Sequence, residues 1–385
     1  MHKSNFRVVE QYLTRYAEAE TQLLETFPSY QYDHCLVIPA FRETSHYIKR
    51  LFNSNFRYPK TPMHLLAILV LNCPNDASHS AIDKTQKNLD YIHNKGILLW
   101  QRAHLLLFDI RSCTSERPIH VLVVNRITHS IPKKQGVGLA RKIGADIACY
   151  LYHHGMSHSP WIHSTDGDAQ LPDGYFQSSY FQAEDLPHQT KNQHSVAAAL
   201  IYPFSHENSQ LHSKCSRTHI YHLLYECHLF HYQLGLQYAG SPYGFQTVGS
   251  TLAVNTTHYA MVRGFPKLSA GEDFYMLNKL IKTSHITSLT RPVIKLESRD
   301  SNRNPFGTGP SVKALLLKNQ LLSSGIFYDP MLFKLLKKFI GLFPIFSTDR
   351  NVNWQQSVKS HLGNNQDSDL IISGFLLTVA NLRYD

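Results

Sequence analysis

The stretch Trp161-Ile162-His163-Ser164-Thr165-Asp166-Gly167-Asp168 joins a short apolar run to two aspartates one residue apart. The run predicts a buried strand, and a strand ending at Asp166 places both carboxylates at the edge where open α/β sheets bind ligands. Two carboxylates held so close repel each other unless a cation or a proton lies between them. The pair therefore indicates a cation site, with a polar loop carrying two solvated charges as the alternative.

The composition fits a folded chain whose surface attracts anions. The 385 residues are 43% hydrophobic and 17% charged, which is typical of one large globular domain with an appendage, or of two domains. A net charge of +10 and a pI of about 9.2 make nucleic acid, anionic lipid and phosphorylated small molecules candidate partners. Because the lysines and arginines are dispersed and no known binding motif is present, we expect no nucleic-acid partner.

Cysteine usage and hydropathy indicate the compartment. The six cysteines are spread singly without a C-x-x-C pair, which predicts buried free thiols in a reducing environment. The N-terminal residues alternate charged and apolar types unlike a signal peptide, and no run of 18 apolar residues predicts a transmembrane helix. We expect a cytoplasmic protein, with peripheral attachment to the inner face of a membrane as the alternative.

Three further apolar runs precede the opening strand. They begin at His34, Leu65 and Ile119, and each is followed along the chain by a segment with helical spacing of its apolar residues. Alternating strands and helices are typical of a doubly wound α/β fold with a mainly parallel sheet flanked by helices. The ends of the four runs then share one edge of the sheet and enclose a ligand crevice; they are Pro39, Asn72, Lys133 and Asp166.

The chain is expected to divide into three parts. Residues 1–30 carry an amphipathic helix, and residues 31–310 form the α/β domain with an insertion at about 97–116. Residues 311–385 form a helical C-terminal extension. Within it, residues 331–343 read as a basic amphipathic helix that either packs on the core, which we favour, or lies on an anionic membrane.

Three more segments carry candidate functional groups. A basic, glycine-bearing loop covers Lys133 to Lys142 and leads into a helix. Glu272 and Asp273 open a later helix, where acidic groups complement the dipole, so capping alone is the alternative to a catalytic role. The polar loop 299–310 carries Arg299 and Arg303, which suit a phosphate, with a plain surface turn as the alternative.

Taken in order, four segments resemble glycosyltransferase family 2, whose catalytic domain has the GT-A fold with a mixed, mainly parallel sheet. The resemblance covers about Tyr32 to Lys282. The family's V-I-P-A-x-N-E is matched with Arg42 in place of the usual Asn, and its K-G-x-G-x-A-R-N-x-G-A loop, its D-x-D and its G-G-F-p…G-E-D segments follow. In this chain they read Leu36-Val37-Ile38-Pro39-Ala40-Phe41-Arg42-Glu43, Lys134 to Ala145, Asp166-Gly167-Asp168, and Arg263-Gly264-Phe265-Pro266 with Gly271-Glu272-Asp273.

The resemblance implies a nucleotide-diphosphate-sugar donor bound at the sheet edge. The residues that would border the base and ribose are Pro39, Phe41 and Glu43. The aspartate that the family usually supplies to the base falls at Asn72 or Asp76. The residues of the basic loop that would approach the nucleotide are Lys134, Gly138 and Arg141.

The resemblance also assigns the metal and the base. Asp166 would face the ribose and the metal, while Asp168 would ligate a divalent Mn²⁺ or Mg²⁺ that bridges the donor phosphates. Asp273 matches the family's catalytic base, with Glu272 as the fallback. Their position at a helix start is expected to lower their pKa values. We expect Arg299 and Arg303 to contact the diphosphate or a phosphorylated acceptor.

The resemblance implies inverting transfer of a sugar to an acceptor hydroxyl. The Q-x-x-R-W segment of processive synthases and transmembrane helices are both absent, which indicates addition of a single sugar rather than polymer synthesis. Cell-surface glycan or glycolipid synthesis fits this activity, and a lipid-linked acceptor would suit peripheral membrane contact through residues 331–343. One alternative is a nucleotidyltransferase acting on a sugar phosphate. Two others from different classes are a basic nucleic-acid-binding protein and an inactive protein that only binds a sugar nucleotide.

Overall fold

The computed structural model describes residues 3–53, 63–110, 119–179, 196–207, 217–298, 308–318, 327–344, 353–363 and 366–381. The chain forms two compact units. The first comprises Met1–Leu223 and Thr247–Leu317, and the second comprises Leu224–Gln246 and Lys318–Asp385. Within the described ranges, no helix is long and apolar enough to cross a membrane.

The first unit is built on a large β-sheet. The described strands are β1 His34–Ala40, β2 Leu65–Pro74, β3 Ile97–Arg102, β4 Leu105–Ile110, β5 Ile119–Ile131, β6 Trp161–Ser164, β7 Ala169–Gln170, β8 Ala199–Ile201, β9 Phe204–Glu207, β10 Leu252–Asn255, β11 Ile286–Ser288 and β12 Ile294–Glu297. Nine of them form one sheet in the order β11-β8-β10-β6-β1-β2-β5-β4-β3, and β7-β12-β9 form a small second sheet.

The α/β class and the mixed sheet are both as predicted. Four adjacent strands, β6-β1-β2-β5, are parallel to one another and form the sheet's centre. The pairs on either side, β6 with β10 and β5 with β4, are antiparallel. β8 and β11 form a further parallel pair, so the sheet is mixed as expected, with a mainly parallel core.

In the part that the structure describes, the predicted insertion at 97–116 adds two strands to the main sheet. β3 and β4 form an antiparallel hairpin that pairs with β5 and extends the main sheet at its edge. The turn at 103–104 is too short to cross over the sheet, so these two strands have to be antiparallel. β4 is buried along its whole length and lies between β3 and β5 in the sheet.

Helices connect and flank these strands. They are α1 Lys3–Arg15, α2 His46–Asn53, α3 His79–Lys95, α4 Gly136–His153, α5 Arg217–Tyr238, α6 Thr256–Met261, α7 Glu272–Leu280, α8 Thr308–Lys318, α9 Pro330–Ile340, α10 Trp354–Leu362 and α11 Gln366–Asn381. Short 3-10 helices cover Ala19–Thr26, Gln177–Ser179 and Gly249–Thr251. Ser78 caps α3 by accepting a hydrogen bond from the Ala81 N–H, since the first N–H groups of a helix lack internal partners.

α4 lies directly on the centre of the sheet. A Cβ at Gly144 would stand 2.4 Å from Cγ1 of Val37 and 3.3 Å from Cγ2 of Val70, so the helix approaches β1 and β2 as closely as only glycine allows. This close contact fixes the orientation of α4 on the sheet, and with it the position of Arg141. The helix begins at Gly136, so most of the segment predicted as a basic loop is its first turns.

The N-terminal helix is anchored through a buried polar network. The Tyr12 hydroxyl donates to Oδ1 of Asp146 at 2.5 Å, and Lys142 Nζ donates to Oδ2 at 2.9 Å. The Tyr259 hydroxyl donates to the same carboxylate at 2.6 Å. Because each of these groups is buried and paired, α1 belongs to the same compact unit as the sheet.

The second unit is helical in its described parts. Phe333 of α9 lies on α5, where a Cβ at Gly235 would stand 2.3 Å from its ring. Leu342, Val358 and Ile371 form a small apolar core that links α9 to α10 and α11. The predicted helix at 331–343 thus packs against other helices through one edge.

Candidate functional site

The order of the sheet reverses at β1, and the candidate site lies there. β2 and β5 follow β1 on one side, whereas β6 lies on its other side. In doubly wound sheets, ligands bind outside the carboxyl ends of the strands at such a switch point. β6 pairs with Cys35 to Val37 only, so the two strands separate beyond Val37.

Pro39 helps to end the pairing of β1 with β6. The Val37 carbonyl accepts the Thr165 N–H at 3.0 Å, and backbone groups two residues apart face the same side of a strand. Pro39, which has no N–H, therefore faces the side where β6 has ended. The predicted strand stop at Pro39 is wrong by one residue, because Pro39 and Ala40 still pair with β2.

The loops after β1 and β6 touch each other. A Cβ at Gly167 would stand 2.9 Å from Cγ of the buried Glu43, so the middle residue of the D-x-D segment has to be small. Arg42 adopts φ 57°, a left-handed conformation that suits asparagine or glycine far better than arginine. Phe41 lies half-buried beside it. Three residues predicted to border a nucleotide, Pro39, Phe41 and Glu43, thus lie in and just after the end of β1, at the switch point.

Arg141 is the centre of the site. Its guanidinium is buried and donates from Nη2 to Oδ1 of Asp166 at 2.8 Å and from Nε to Oε1 of Glu272 at 3.1 Å. Nη1 donates to Oγ of Ser164 at 2.6 Å and to the carbonyl of Gly249 at 3.1 Å. One side chain therefore joins the end of β6 to the start of α7.

These contacts leave few N–H groups of the Arg141 guanidinium to bind a ligand. Burial acts to lower the pKa of Arg141. The carboxylates of Asp166 and Glu272 act more strongly in the opposite direction, so the pKa lies above that of an ordinary arginine. The guanidinium is thus a permanent internal cation that orients two carboxylates. Arg141 would therefore act on a nucleotide indirectly, by orienting those two carboxylates.

Glu272 and Asp273 form the first turn of α7, as predicted. Gly271 precedes them with φ 73°, in the left-handed region that glycine enters without strain. Glu272 is buried and ion-paired with Arg141, whereas Asp273 is partly exposed and accepts the Phe274 N–H at 2.7 Å. The fallback base is therefore enclosed, and the preferred one is the more accessible.

The expectation that the helix start lowers the pKa of Asp273 is wrong. Its pKa is raised from 3.8 to about 7, first by desolvation and then by the negative charge of Glu272. Arg141 and the Phe274 N–H act in the opposite direction without compensating. A carboxylate with a pKa near 7 is suited to accept a proton at neutral pH.

Gly249 makes room for this arrangement. A Cβ there would stand 2.8 Å from Nη2 of Arg141 and 3.2 Å from Oδ2 of Asp273. The guanidinium and the carboxyl group thus both lie against the backbone of the 3-10 helix Gly249–Thr251. Nothing in the local sequence around Gly249 marked it as part of the site.

Asp166 and Asp168 have the oxygen chemistry that a hard divalent cation requires. Oδ1 of Asp166 is taken by Arg141, while Asp166 and Asp168 are both partly exposed in the turn before β7. Within the described ranges, no group of three His, Cys, Asp or Glu side chains is arranged to hold a metal. A cation on these two aspartates would therefore complete its coordination with water or phosphate oxygens, as Mg²⁺ commonly does.

The second strand's predicted contacts lie farther along the same edge. Asn72 is buried near the end of β2, and its Oδ1 has no hydrogen-bond partner among the described residues. Asp76 is exposed and paired with Nζ of Lys133 at 2.6 Å, an ion pair that lowers its pKa. This pair ties the loop after β2 to the loop after β5.

Of the other predicted residues, Lys134 is exposed in the turn before α4. Gly138 is buried, and a Cβ there would stand 2.4 Å from the Pro266 carbonyl oxygen. Gly138 allows α4 to pack closely against the 266–268 backbone, and its approach to a nucleotide stays a prediction. Arg299 and Arg303 lie outside the described residues.

A small pocket beside Asp166 adds residues that the sequence did not single out. Its lining includes Tyr47 and Arg50 of α2 together with Gln170 of β7. Nη2 of Arg50 donates to the Gly167 carbonyl at 2.8 Å, and the buried Tyr47 hydroxyl has no hydrogen-bond partner among the described residues. For Tyr47 and Arg50, the position in the helix that follows β1 was the one feature of the sequence that could have indicated a place near the site.

No protein-family model matches the chain, and a search of the curated proteins finds no similar sequence. The chemistry of the site therefore has to be read from its own residues: a buried arginine, three carboxyl groups around it, and a second aspartate in the adjoining turn.

Proposed function

We propose that this protein transfers a sugar from a nucleotide-diphosphate-sugar to an acceptor hydroxyl, with help from a divalent cation and within a GT-A fold. The observation that carries the proposal is the link through Arg141 between Asp166, at the carboxyl end of β6, and Glu272, beside Asp273 at the start of α7. Residues from three separate sequence motifs meet at one switch point, where such folds bind nucleotides.

The charge balance of this cluster favours a cation. With Asp273 ionised, three carboxylates surround the single positive charge of Arg141. Asp168 adds a fourth acidic side chain in the adjoining turn. When bound, a divalent cation would neutralise the charge that develops on a diphosphate leaving group. Asp166 and Asp168 are the residues to hold it.

Asp273 is the proposed base. As the acceptor oxygen forms its bond to the anomeric carbon, the bond from that carbon to the diphosphate oxygen breaks and the nucleoside diphosphate leaves. The hydroxyl proton passes to the Asp273 carboxylate. A pKa of about 7 leaves a large fraction of Asp273 ionised at neutral pH while keeping it basic enough to take the proton.

The same carboxylate favours sugar transfer over nucleotidyl transfer. A nucleotidyltransferase attacks with a sugar phosphate that is already ionised, so it needs no base at the start of α7. The two reactions release different products. Sugar transfer gives a nucleoside diphosphate, and nucleotidyl transfer gives pyrophosphate.

The test is a panel of nucleotide-sugars with Mn²⁺ or Mg²⁺, read by thermal shift and by release of nucleoside diphosphate. We expect one donor class to raise the melting temperature in the presence of the cation, because a ligand that binds only the folded state stabilises it. Asp168→Ala should abolish the cation-dependent part of that shift. Asp173→Ala, which changes an exposed aspartate just after β7, is the matched control and should leave it unchanged.

Catalysis is read separately from binding. Asp273→Asn should keep the thermal shift and lose at least a hundredfold in turnover, since base catalysis contributes roughly that factor or more. Pyrophosphate as the product would replace the proposal with nucleotidyl transfer. No response to any donor, or an Asp273→Asn enzyme as fast as the wild type, would refute it.

A further inference from the structure

Helix α9 combines exposed apolar side chains with exposed lysines. Met331 and Leu332, in its first turn, are each 51% exposed. Lys334, Lys337 and Lys338 are exposed along the same eleven-residue helix, which contains no acidic residue. Exposure of large apolar side chains to water costs free energy. Exposed apolar side chains grouped with lysines are typical of a surface that binds a partner.

The packing of α9 within its own unit fixes which side remains outside. The Phe333 ring rests on the α5 backbone at Gly235, and Nζ of Lys337 lies 4.5 Å from the centre of the Tyr238 ring. These two contacts hold one edge of the helix against α5. Met331 and Leu332 lie off that edge and stay exposed.

Further apolar residues of the same unit are exposed around the helix. Phe343, just after α9, is 51% exposed, and Tyr328, just before it, is 47% exposed. Aromatic rings with a polar tip and long basic side chains are the groups that occupy a membrane–water interface. We define the α9 surface as Tyr328, Met331, Leu332, Lys334, Lys338 and Phe343.

We infer that the α9 surface binds an anionic lipid bilayer. The lysines complement the negative charge of the lipid head groups, and the apolar side chains reach the boundary of the acyl chains. A second copy of this chain fits less well, because a two-fold contact through this surface would bring both sets of lysines together. This inference is independent of the proposed function, since it involves other residues and another unit.

The test is flotation of the full-length protein with vesicles. We expect binding to vesicles of phosphatidylcholine with 30% phosphatidylglycerol, and little binding to phosphatidylcholine alone. Raising the salt from 0.1 to 0.5 M should weaken binding, because attraction between exposed charges is screened. Lys334→Gln should weaken it about fivefold, taking about 1 kcal/mol per lysine near an anionic surface.

The apolar contribution is tested with Met331→Glu/Leu332→Glu. Acidic residues in the first turn of a helix complement its dipole, so this variant keeps α9 folded while it removes apolar contact. We expect at least a tenfold loss of binding. The matched controls are Leu317→Glu, which changes an exposed leucine of α8, and Lys87→Gln, which changes an exposed lysine of α3. Both should bind like the wild type.

Circular dichroism and thermal denaturation establish that each variant is folded. Wild-type protein that fails to float with anionic vesicles overturns the inference, and so does equal binding to both vesicle types. Unchanged binding of the folded Met331→Glu/Leu332→Glu variant overturns it as well. A concentration-dependent dimer that this variant abolishes, without vesicle binding, would assign the surface to a second copy of the chain.

Discussion

Replacing Arg141 tests the central feature of the site. In Arg141→Met, Glu272 loses its Nε partner and stays buried, and a buried ion pair that loses one member costs about 3–5 kcal/mol. Asp166 has a side chain 36% exposed, so water compensates most of its loss and adds less than about 1 kcal/mol. We expect the free energy of unfolding to fall by about 4 kcal/mol, a large share of the roughly 5–15 kcal/mol typical of a domain.

Urea denaturation of three variants measures this effect. Arg141→Met/Glu272→Gln should be more stable than Arg141→Met, because it removes the charge that Arg141 had compensated, and the coupling in a double-mutant cycle should reach about 1–3 kcal/mol. Lys142→Met is the matched control. Lys142 is the next residue of α4, also buried, and ion-paired with Asp146.

The control separates stability from function. We expect Lys142→Met to destabilise the fold by a similar amount yet to keep the cation-dependent thermal shift with a nucleotide-sugar. Arg141→Met should lose that shift. If Arg141→Met cost less than about 1 kcal/mol, or showed no coupling to Glu272, the interpretation of Arg141 as the internal counter-charge would be refuted.

Two further outcomes are expected. Gly249→Ala places a Cβ 2.8 Å from Nη2 of Arg141 and should cost about 1–3 kcal/mol in urea denaturation, whereas Gly374→Ala in α11, where a Cβ meets nothing within 4 Å, should be neutral or stabilising. The raised pKa of Asp273 predicts that the unfolding free energy falls as pH rises from about 4 to 7, because the carboxyl group ionises at a lower pH in the unfolded chain than in the folded one. This dependence of the unfolding free energy on pH should be weaker in Asp273→Asn.

Each of these two predictions can be contradicted by a specific result. A Gly249→Ala protein as stable as the wild type would mean that the guanidinium moves freely in its pocket. An unchanged pH slope in Asp273→Asn would assign the titration near pH 7 to another group, and the proposed base would lose its physical support.

Much of the fold was predictable from local patterns. Buried strands are predictable as apolar runs, and the helical spacing after the runs that begin at His34, Leu65 and Ile119 corresponds to α2, α3 and α4. The edge hairpin β3–β4 was missed as part of the sheet, because an apolar run such as Leu105–Ile110 does not reveal which strand it will pair with. Pairing depends on register across the sheet, and no local pattern encodes it.

The candidate site was predictable as a set of residues, but the arrangement of those residues was not. Asp166, Asp168, Glu272 and Asp273 could be chosen because carboxyl groups follow an apolar run or open a helix. The helix start alone predicted a lowered pKa for Asp273. The opposite shift arises from desolvation and from Glu272, effects that exist only after folding.

The sequence alone thus determined the α/β class, the buried strand that precedes Asp166, and the acidic start of α7. The predicted end of that strand at Asp166 is wrong by two residues, because β6 ends at Ser164. Only the tertiary structure decided that Arg141 would be buried between that strand and α7, 25 residues from Asp166 and 131 from Glu272 along the chain. It also made Gly249 a necessary neighbour. The physical reason is that hydrogen bonds and hydrophobic patterns act locally, whereas burial and electrostatic coupling depend on which distant segments come within a few ångströms of each other.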